Sequence, residues 1–452
     1  MDDSIYRLRD RDLLTLCVLA LLALGVVMVQ SAAMNVGNQA LWYWSDRGTK
    51  HALFAILALL TFVTVSRLDY RKLTAGHWTA APAVWGMGIA MALCTAVLLP
   101  GVGTEVNGAR RWIALGPVRI QPSEVAKWGT VLFLAWRLSR PGMGSFLKGY
   151  LPTCAVVGAL CLLVVIEDFG TAALIGLAAF VMLLAGPTKW WHLAISVPPA
   201  LAAAVAFVAI EPYRWRRMTA FLDPWAAPET DGYHMIQSLY SFATGGITGR
   251  GLGNGVQKLG YLPEDTTDFI FAVICEELGL FGAGLVAVLY VTILGVGYSA
   301  SRRAPEGFGR LLCFGTVAML GLQATLNIAV ATASVPTKGM SLPLVSAGGS
   351  GLILTAIMLG FVYSVCRGEG SRLAESETDD FATQIFTRVT GRQEDDEVEA
   401  ELVDDDEDDA DDEEPEEYLV DEEEEQYEEE EEEEDEDDED GLEMEDDDRR
   451  AA

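Results

Sequence analysis

Residues 269–298, FIFAVICEELGLFGAGLVAVLYVTILGVGY, decide the fold class. They form a run of 30 residues with only two charges, Glu276 and Glu277, and a helix of about 20 residues crosses a bilayer. The run is preceded by YLPEDTTD, residues 261–268, so the Asp268 carboxylate stands where a polar loop meets the apolar segment. A charge at a membrane boundary is costly and indicates a function.

Similar apolar runs recur along the chain, and several are short or rich in glycine, as in helices packed against other helices. The sequence therefore predicts an all-α, polytopic membrane protein with about ten transmembrane helices in one domain, residues 13–366, after a short N-terminus, residues 1–12. The runs are residues 13–33, 52–66, 79–99, 125–138, 150–166, 171–185, 193–210, 269–298, 311–333 and 351–366.

Charge is distributed very unevenly. Residues 367–452 hold 46 of the 66 acidic residues and 6 of the 31 basic ones, a balance of −40, whereas residues 1–366 carry +5. Runs such as residues 428–440 have almost no apolar side chains and cannot bury enough surface to offset chain entropy. We expect a disordered acidic tail that acts as an interaction or spacing element.

Lysine and arginine in the short loops set the orientation. A cytoplasmic N-terminus leaves more of them inside than outside and makes both termini cytoplasmic. The first run could be mistaken for a signal peptide, because Ser31-Ala32-Ala33 resembles a cleavage site. Its length and the many runs that follow favour a retained helix.

Several kinds of site find no support in the sequence. The 7 cysteines form no CxxC pair, the 4 histidines share no metal-ligand spacing, and there is no GxxxxGK[ST] loop. No metal site is assigned, and neither nucleotide-driven chemistry nor a nucleic-acid partner is expected.

The first group of polar residues lies in a short outside loop and the helix start after it. Pro122 fits the first turn of a helix, on which Glu124 and Lys127 share a side. Glu124 and Lys127 can form an ion pair there, with the arginines as interfacial anchors and Trp112 as a belt residue; for Glu124 and Trp112 this reading and a functional one both stay open. For Arg119 and Lys127 we favour an anion site, because the loop concentrates positive charge at Arg110, Arg111, Arg119 and Lys127.

The second group is the long outside loop, residues 211–267, which ends at Asp268. Structureless loops of this length are uncommon in compact domains and are usually functional or carry small helices. Asp268 could simply cap the next helix, although Thr266 or Thr267 could do so instead. For Glu276 and Glu277 a structural polar contact is as plausible as catalysis, so neither is assigned a catalytic role.

The third group begins at Asn327 and continues through PTKGMSLP, residues 336–343, to SAGGSG, residues 346–351. Two prolines and several glycines interrupt the apolar pattern here. This composition indicates a re-entrant or broken segment that lines a cavity, with Lys338 as a lone charge at its edge.

Three strings in these groups are similar to the signature segments of the SEDS family (shape, elongation, division and sporulation), whose members include FtsW, RodA and SpoVE. The strings are GARRWIALGPVRIQPSEVAK, GLGNGVQKLGYLPEDTTDFIFAVICEELG and VPTKGMSLPLVSAGGSG, and the likeness covers residues 7–366. Within the family, GNGVQKLGYLPE resembles the cell-division branch, FtsW, more than the elongation branch, RodA.

The resemblance implies a ten-helix peptidoglycan glycosyltransferase. Such an enzyme polymerises lipid II at the outer face of the bacterial cytoplasmic membrane, with a class B penicillin-binding protein as transpeptidase partner. Resemblance to the cell-division branch further implies other divisome proteins and membrane lipid as partners, and the division septum as the location. The family's catalytic aspartate matches Asp268, its important basic residues match Arg119 and Lys127, and its tryptophan matches Trp112.

The chain departs from the family pattern at a few positions. Relatives read QPDFGT where this chain has Glu167 in place of the proline, which leaves the role of Asp168 open. Cys275 stands for a glycine, and Ala347 and Gly351 replace a tyrosine and a serine of SYGGSS. We expect these changes to alter packing more than chemistry.

The expected reaction is an inverting displacement, in which Asp268 serves as general base. Arg119 and Lys127, with Arg110, Arg111 or a divalent cation (Mg²⁺ or Mn²⁺), would stabilise the diphosphate leaving group. The alternatives are a lipid II flippase, an elongation-type polymerase, and a scaffold that only recruits division proteins.

Overall fold

Helices dominate the structure, which is a computed structural model. It describes residues 9–33, 46–74, 81–106, 109–116, 118–210, 212–230 and 232–368. The acidic tail of the sequence-based prediction lies outside these residues.

The secondary structure follows the chain in a simple order, with one small sheet between the third and fourth helices. The elements are α1 (Asp10–Ala32), α2 (Asp46–Ser66), a 3-10 turn (Tyr70–Thr74), α3 (Pro82–Leu98), β1 (Gly103–Val106), β2 (Ala109–Leu115), β3 (Val118–Ile120), α4 (Pro122–Leu138), a π-helical turn (Phe146–Tyr150), α5 (Leu151–Val165), α6 (Phe169–Ala185), α7 (Trp190–Ile210), α8 (Pro212–Leu222), a 3-10 turn (Pro224–Ala226), α9 (Tyr233–Gly245), α10 (Ile270–Arg303), α11 (Gly307–Ala331) and α12 (Gly349–Gly368).

Each of the ten predicted apolar runs coincides with a helix. Within the described ranges, seven helices are long and apolar enough to cross a membrane, and α3 and α6 are shorter apolar helices. The remaining run, residues 125–138, forms α4, which carries Glu124 and Lys127 in its first turns. The prediction of a helical, multi-pass membrane protein is confirmed.

Helix α4 lies at the centre of the bundle, against α3, α6 and α11. Its sequence has the signals of a stable helix, because Pro122 occupies the first turn, where a missing N–H costs nothing. Glu124 near the start and Arg137 near the end complement the helix dipole. Nearly the whole surface of α4 is buried, so its polar residues must find partners inside the protein.

A three-stranded antiparallel sheet, in the order β1-β2-β3, adds to the predicted all-α fold. The turn between β2 and β3 contains Gly116, whose φ of 63° favours glycine. In the middle strand, buried Ile113 pairs with Gly103 on one side and Ile120 on the other. The strands are formed by residues of the first polar group, and they carry Arg110, Arg111 and Arg119.

The long loop of residues 211–267 carries two helices, α8 and α9, as the sequence suggested. The apolar run after it forms α10, which is not continuous throughout. Helix α10 breaks at Gly279, which has φ 65° and ψ −157°. A β-carbon at that position would lie 2.4 Å from the amide nitrogen of Gly249, so the break depends on glycine.

The backbone groups freed at this break are satisfied by the preceding loop. The amides of Arg250 and Gly251 donate to the carbonyls of Glu276 and Glu277 at 3.0 and 2.9 Å, and the Leu280 amide donates to the Gly246 carbonyl at 3.1 Å. The loop therefore takes the place of the missing helical turn.

The Glu276 and Glu277 side chains attach the same loop to α10, and both are completely buried. The Val256 amide donates to Glu276 at 2.8 Å, and the Gly253 amide donates to Glu277 at 3.0 Å. The Lys258 ammonium lies 2.6 Å from Glu277, and Ser31 of α1 also donates to that carboxylate. Both glutamates thus have structural partners, the first of the two readings that the sequence left open.

We expect Lys258→Met to destabilise the protein strongly. The substitution removes the cation beside a carboxylate that has no exposed surface, and breaking such a buried pair costs about 3–5 kcal/mol. Thermal unfolding of the detergent-solubilised protein measures the effect.

Arg250→Met is the matched control. The Arg250 side chain is 41% exposed and lies 3.9 Å from Glu276, so its loss should cost less than about 1 kcal/mol. Equal shifts in melting temperature for the two variants would contradict the structural role of the Lys258–Glu277 pair.

Candidate active site

The Asp268 side chain is partly exposed just before α10. It is not the N-cap of that helix, because Phe269 occupies the N-cap position and makes no side-chain cap hydrogen bond. One carboxylate oxygen, Oδ2, lies so close to Gly339 that a β-carbon there would be only 2.8 Å away. The Asp268 backbone carbonyl accepts a hydrogen bond from Asn327 at 2.8 Å.

The surroundings of Asp268 disfavour its negative charge. Burial, the largest cause, and the nearby charges of Glu264 and Asp168 together raise the pKa of its carboxyl to about 7, against the opposing effect of Arg111. At neutral pH this group can therefore accept or release a proton, which a general base requires.

Lys338 approaches Asp168 from the segment between α11 and α12. Its side chain crosses the start of α6, where it occupies the space of a β-carbon at Gly170, and its ammonium lies 4.5 Å from the centre of the Phe169 ring. Burial, the largest cause, and the nearby charges of Arg111 and Arg217 together lower the pKa of Lys338 to about 8, against the opposing effect of Asp168.

Asp168 is the N-cap of α6. Its Oδ1 accepts hydrogen bonds from the amides of Gly170 and Thr171, both at 3.1 Å, and its Oδ2 accepts one from the Thr171 hydroxyl at 2.8 Å. N-capping of α6 is therefore a structural role for Asp168, whose role the sequence left open.

Strand β2 brings two arginines to the same place. The Arg111 side chain donates to the Glu167 carbonyl at 2.8 Å, and the Arg110 amide donates to the Glu167 carboxylate at 2.7 Å. An open cleft between β2, α3, α4 and the α5–α6 turn is lined by Arg110, Arg111, Pro122, Ser123, Glu167 and Asp168, among others. A surface with two arginines suits an anion.

Glu124 and Lys127 form the ion pair that the sequence allowed. Lys127 is 2% exposed, and its ammonium lies 2.7 Å from Glu124 and 2.6 Å from the Gln323 side-chain oxygen. These two partners occupy two of the three N–H donors of the ammonium, and a contact between Lys127 and a diphosphate stays a prediction.

Arg119 and Trp112 lie on the sheet rather than in the bundle. Arg119 is exposed on β3, opposite Ala114 of β2. Trp112 is half-buried, and its carbonyl accepts a hydrogen bond from Thr104 at 3.0 Å. Both stay predictions as substrate contacts.

The connection from α11 to α12 is non-helical over residues 332–348, as expected for a broken segment. Several of its residues are fully buried, including Leu342, Leu344 and Val345. The Ser346 hydroxyl donates to the Thr267 carbonyl at 2.6 Å, and the Ala347 amide donates to the Thr266 carbonyl at 2.9 Å. The segment is therefore bound directly to the loop that carries Asp268.

The fold thus groups Asp268 with Arg111, Asp168 and Lys338, and sets Glu124 and Lys127 apart as a buried pair. Sequence reasoning missed Arg217 of α8 and did not select Lys338. Lys338 was recognisable as a lone charge beside a broken segment. Arg217 carried no comparable signal, because it is one of several arginines in a long loop.

Comparison with known proteins shows the family to which the chain belongs. The family model described as "Cell cycle protein", FtsW/RodA/SpoVE, matches residues 11–370. A protein of Nitrosococcus halophilus named probable peptidoglycan glycosyltransferase FtsW is 38% identical over 358 residues, 76% of this chain and 89% of its own length. One of the same name from Thioalkalivibrio sulfidiphilus is 40% identical over 365 residues, 78% of this chain and 88% of its own length.

Solved structures agree as well. A chain in a structure described as the structural coordination of polymerization and crosslinking by a peptidoglycan synthase complex matches with a TM-score of 0.65 and 29% identity, over 79% of this chain and 97% of that one. The rod shape determining protein RodA of Thermus thermophilus matches with a TM-score of 0.57 and 28% identity, over 79% and 96%. The family model spans the helices and the grouped polar residues alike, and the chain belongs to the FtsW/RodA/SpoVE family.

Proposed function

We propose that this protein is a peptidoglycan glycosyltransferase that polymerises lipid II. The observation that carries the proposal is the Asp268 carboxyl, with its pKa raised to about 7 and the cation Arg111 nearby, in a site that Lys338 shares through its neighbours Asp168 and Arg111. The relatives named peptidoglycan glycosyltransferase support it.

The reaction needs one base. The 4-hydroxyl of one sugar attacks the anomeric carbon of an α-linked lipid diphosphate; the new bond is β, and the diphosphate leaves with the electron pair of the broken bond. Asp268 takes the hydroxyl proton. A second carboxylic acid, which an inverting glycosidase uses to protonate its leaving group, is unnecessary because diphosphate leaves as a stable anion.

The leaving group needs positive charge. Arg111, Arg217 and Lys338 act together around Asp168 and Asp268, and in a partly buried site such cations stabilise developing negative charge more strongly than in water. Arg110 lines the adjoining cleft, and Arg119 and Lys127 are the further candidates for diphosphate contacts.

A divalent cation, Mg²⁺ or Mn²⁺, would add to this charge. Among the described residues, no group of three His, Cys, Asp or Glu side chains could hold a metal ion by itself. A magnesium ion is commonly bound by one or two carboxylates together with substrate phosphates, and Asp168 could supply the carboxylate. Such an ion would neutralise diphosphate charge.

The surroundings of the enzyme are part of the proposal. The polymerising end faces the outside of the bacterial cytoplasmic membrane, both termini are cytoplasmic, and a class B penicillin-binding protein crosslinks the product. The similarity to a chain of a peptidoglycan synthase complex supports that partner. The FtsW names of the relatives favour septal synthesis during cell division over elongation.

We expect Asp268→Asn to abolish polymerisation. The amide keeps the shape of the side chain but cannot accept the proton, and loss of a general base lowers the rate by about 10²–10⁴-fold. Gel-resolved polymerisation of labelled lipid II by the purified protein, with and without its transpeptidase, measures this.

Asp265→Asn is the control, since it removes a neighbouring carboxyl whose pKa burial also raises, to about 6. It should leave glycan synthesis close to that of the wild type. Wild-type rates from Asp268→Asn would exclude the base assignment, and no chains from the wild type under any partner condition would favour lipid transport or scaffolding.

The dependence of activity on pH should be bell-shaped, with its maximum between about pH 7 and 8. Asp268 must be deprotonated, so activity falls as pH drops below its pKa of about 7, and Lys338 must be protonated, so activity falls as pH rises above its pKa of about 8. Initial rates of lipid II consumption across pH give kcat/KM.

Lys338→Arg tests the alkaline side of this profile. Because arginine stays charged at any accessible pH, the variant should lose the alkaline decline and keep the acidic one. An unchanged alkaline decline in Lys338→Arg would assign it to another group.

A further inference from the structure

We propose that Gln323 and Asn327 are positioning residues, which place the base Asp268 relative to Lys127 by holding the backbone of residues 340–341. The two amides lie one helical turn apart and on the same side of α11. The catalytic part of this inference rests on the proposed polymerase function, whereas its structural part can be tested without turnover.

Burial of these two amide side chains has a high cost in free energy. Gln323 is 4% exposed and Asn327 is 1% exposed, on a helix long and apolar enough to cross a membrane. A buried amide is unfavourable unless it is hydrogen-bonded. The other buried polar side chain of α11, Thr316, bonds only to the Leu312 carbonyl of its own helix. Gln323 and Asn327 instead bond to other parts of the protein.

Asn327 joins two segments that are far apart in sequence. Its side-chain nitrogen donates to the Asp268 carbonyl at 2.8 Å and to the Met340 carbonyl at 2.6 Å. Both partners are acceptors, so only the NH₂ group of the amide can serve both. The backbone of the base is thereby tied to the buried segment that follows Lys338.

Gln323 makes the corresponding link between Lys127 and this segment. Its side-chain oxygen accepts a hydrogen bond from Lys127 at 2.6 Å, and its nitrogen donates to the Ser341 carbonyl at 2.8 Å. Met340 and Ser341 are consecutive, so the two amides hold adjacent carbonyls. The contacts run unbroken from Lys127 through α11 and residues 340–341 to Asp268.

This arrangement constrains the chemistry because Gly339, which directly precedes Met340, adjoins the base. Gly339 adjoins the Asp268 carboxylate, and Lys338 shares Asp168 and Arg111 as charged neighbours with Asp268. A displacement of residues 340–341 would move the base and Lys338 together. A misplacement of about 1 Å at a reacting group can lower a rate by about 10²-fold.

The first test replaces each amide by an apolar side chain of similar size. Asn327→Leu and Gln323→Met should lower kcat about 10–100-fold and change KM by less than about 3-fold, because they disturb groups that act in the transition state. The double variant should lose less than the product of the single losses, since both act through the same two carbonyls. Thr316→Val is the control, with wild-type kcat.

A second variant separates the two contacts of Gln323. Gln323→Glu keeps an acceptor for Lys127 but loses the donor to the Ser341 carbonyl. If Gln323 positions residues 340–341, Gln323→Glu should be as impaired in kcat as Gln323→Met. Wild-type kcat in Gln323→Glu would overturn the role assigned to the Ser341 contact.

Hydrogen exchange followed by mass spectrometry tests the positioning itself. Asn327→Leu should increase exchange in peptides covering residues 264–272 and 338–346 relative to the wild type and to Thr316→Val, with no comparable change elsewhere. Unchanged exchange in both peptides would overturn the inference. If the wild type makes no glycan chains, the proposed function fails, and the exchange measurement still decides whether the amides hold these segments.

Discussion

Backbone that leaves a helix inside an apolar bundle has to find its hydrogen-bond partners within the protein, and this constraint shapes both ends of the site. At Gly279 the carbonyls of Glu276 and Glu277 accept amides from residues 250–251. Between α11 and α12, the carbonyls of Met340 and Ser341 accept the side-chain amides of Asn327 and Gln323. At each break, hydrogen bonds from another part of the protein satisfy the freed backbone carbonyls. Asp268 therefore lies between two regions that are fixed by such hydrogen bonds.

The same constraint distinguishes the buried carboxylates from one another. Glu124 forms an ion pair with Lys127, Asp168 accepts hydrogen bonds from the amides at the start of α6, and Glu277 forms an ion pair with Lys258. Among the described residues, Asp268 has no such hydrogen bond to its carboxylate, and desolvation is the main cause of its raised pKa. Hydrogen bonds and cations favour the charged form of a carboxyl group, whereas burial alone favours the neutral one. The surroundings of Asp268 thus give it a pKa at which it can exchange a proton near neutral pH.

Two departures from the family pattern have a clear structural setting. Glu167, which replaces a proline, accepts a hydrogen bond from the Arg110 amide through its carboxylate, a contact that a proline side chain could not make. Gly351, which replaces a serine, leaves the space that Glu124 occupies, since a β-carbon there would lie 2.8 Å from its Oε2. Both changes adjust packing around the cleft and leave Asp268 and Lys338 in place.

Sequence by itself determined the ten apolar helices and the interrupted segment before α12, and it selected Asp268 as the candidate base. These follow from local properties: hydropathy over about 20 residues, the backbone limits of proline and glycine, and a carboxylate at an apolar boundary. Tertiary structure alone decided that Lys127 is buried with Glu124, that Glu276 and Glu277 attach a loop, and that Lys338 and Arg217 join the site. Those outcomes depend on contacts between residues far apart in the chain, and a linear pattern contains no measure of such distances.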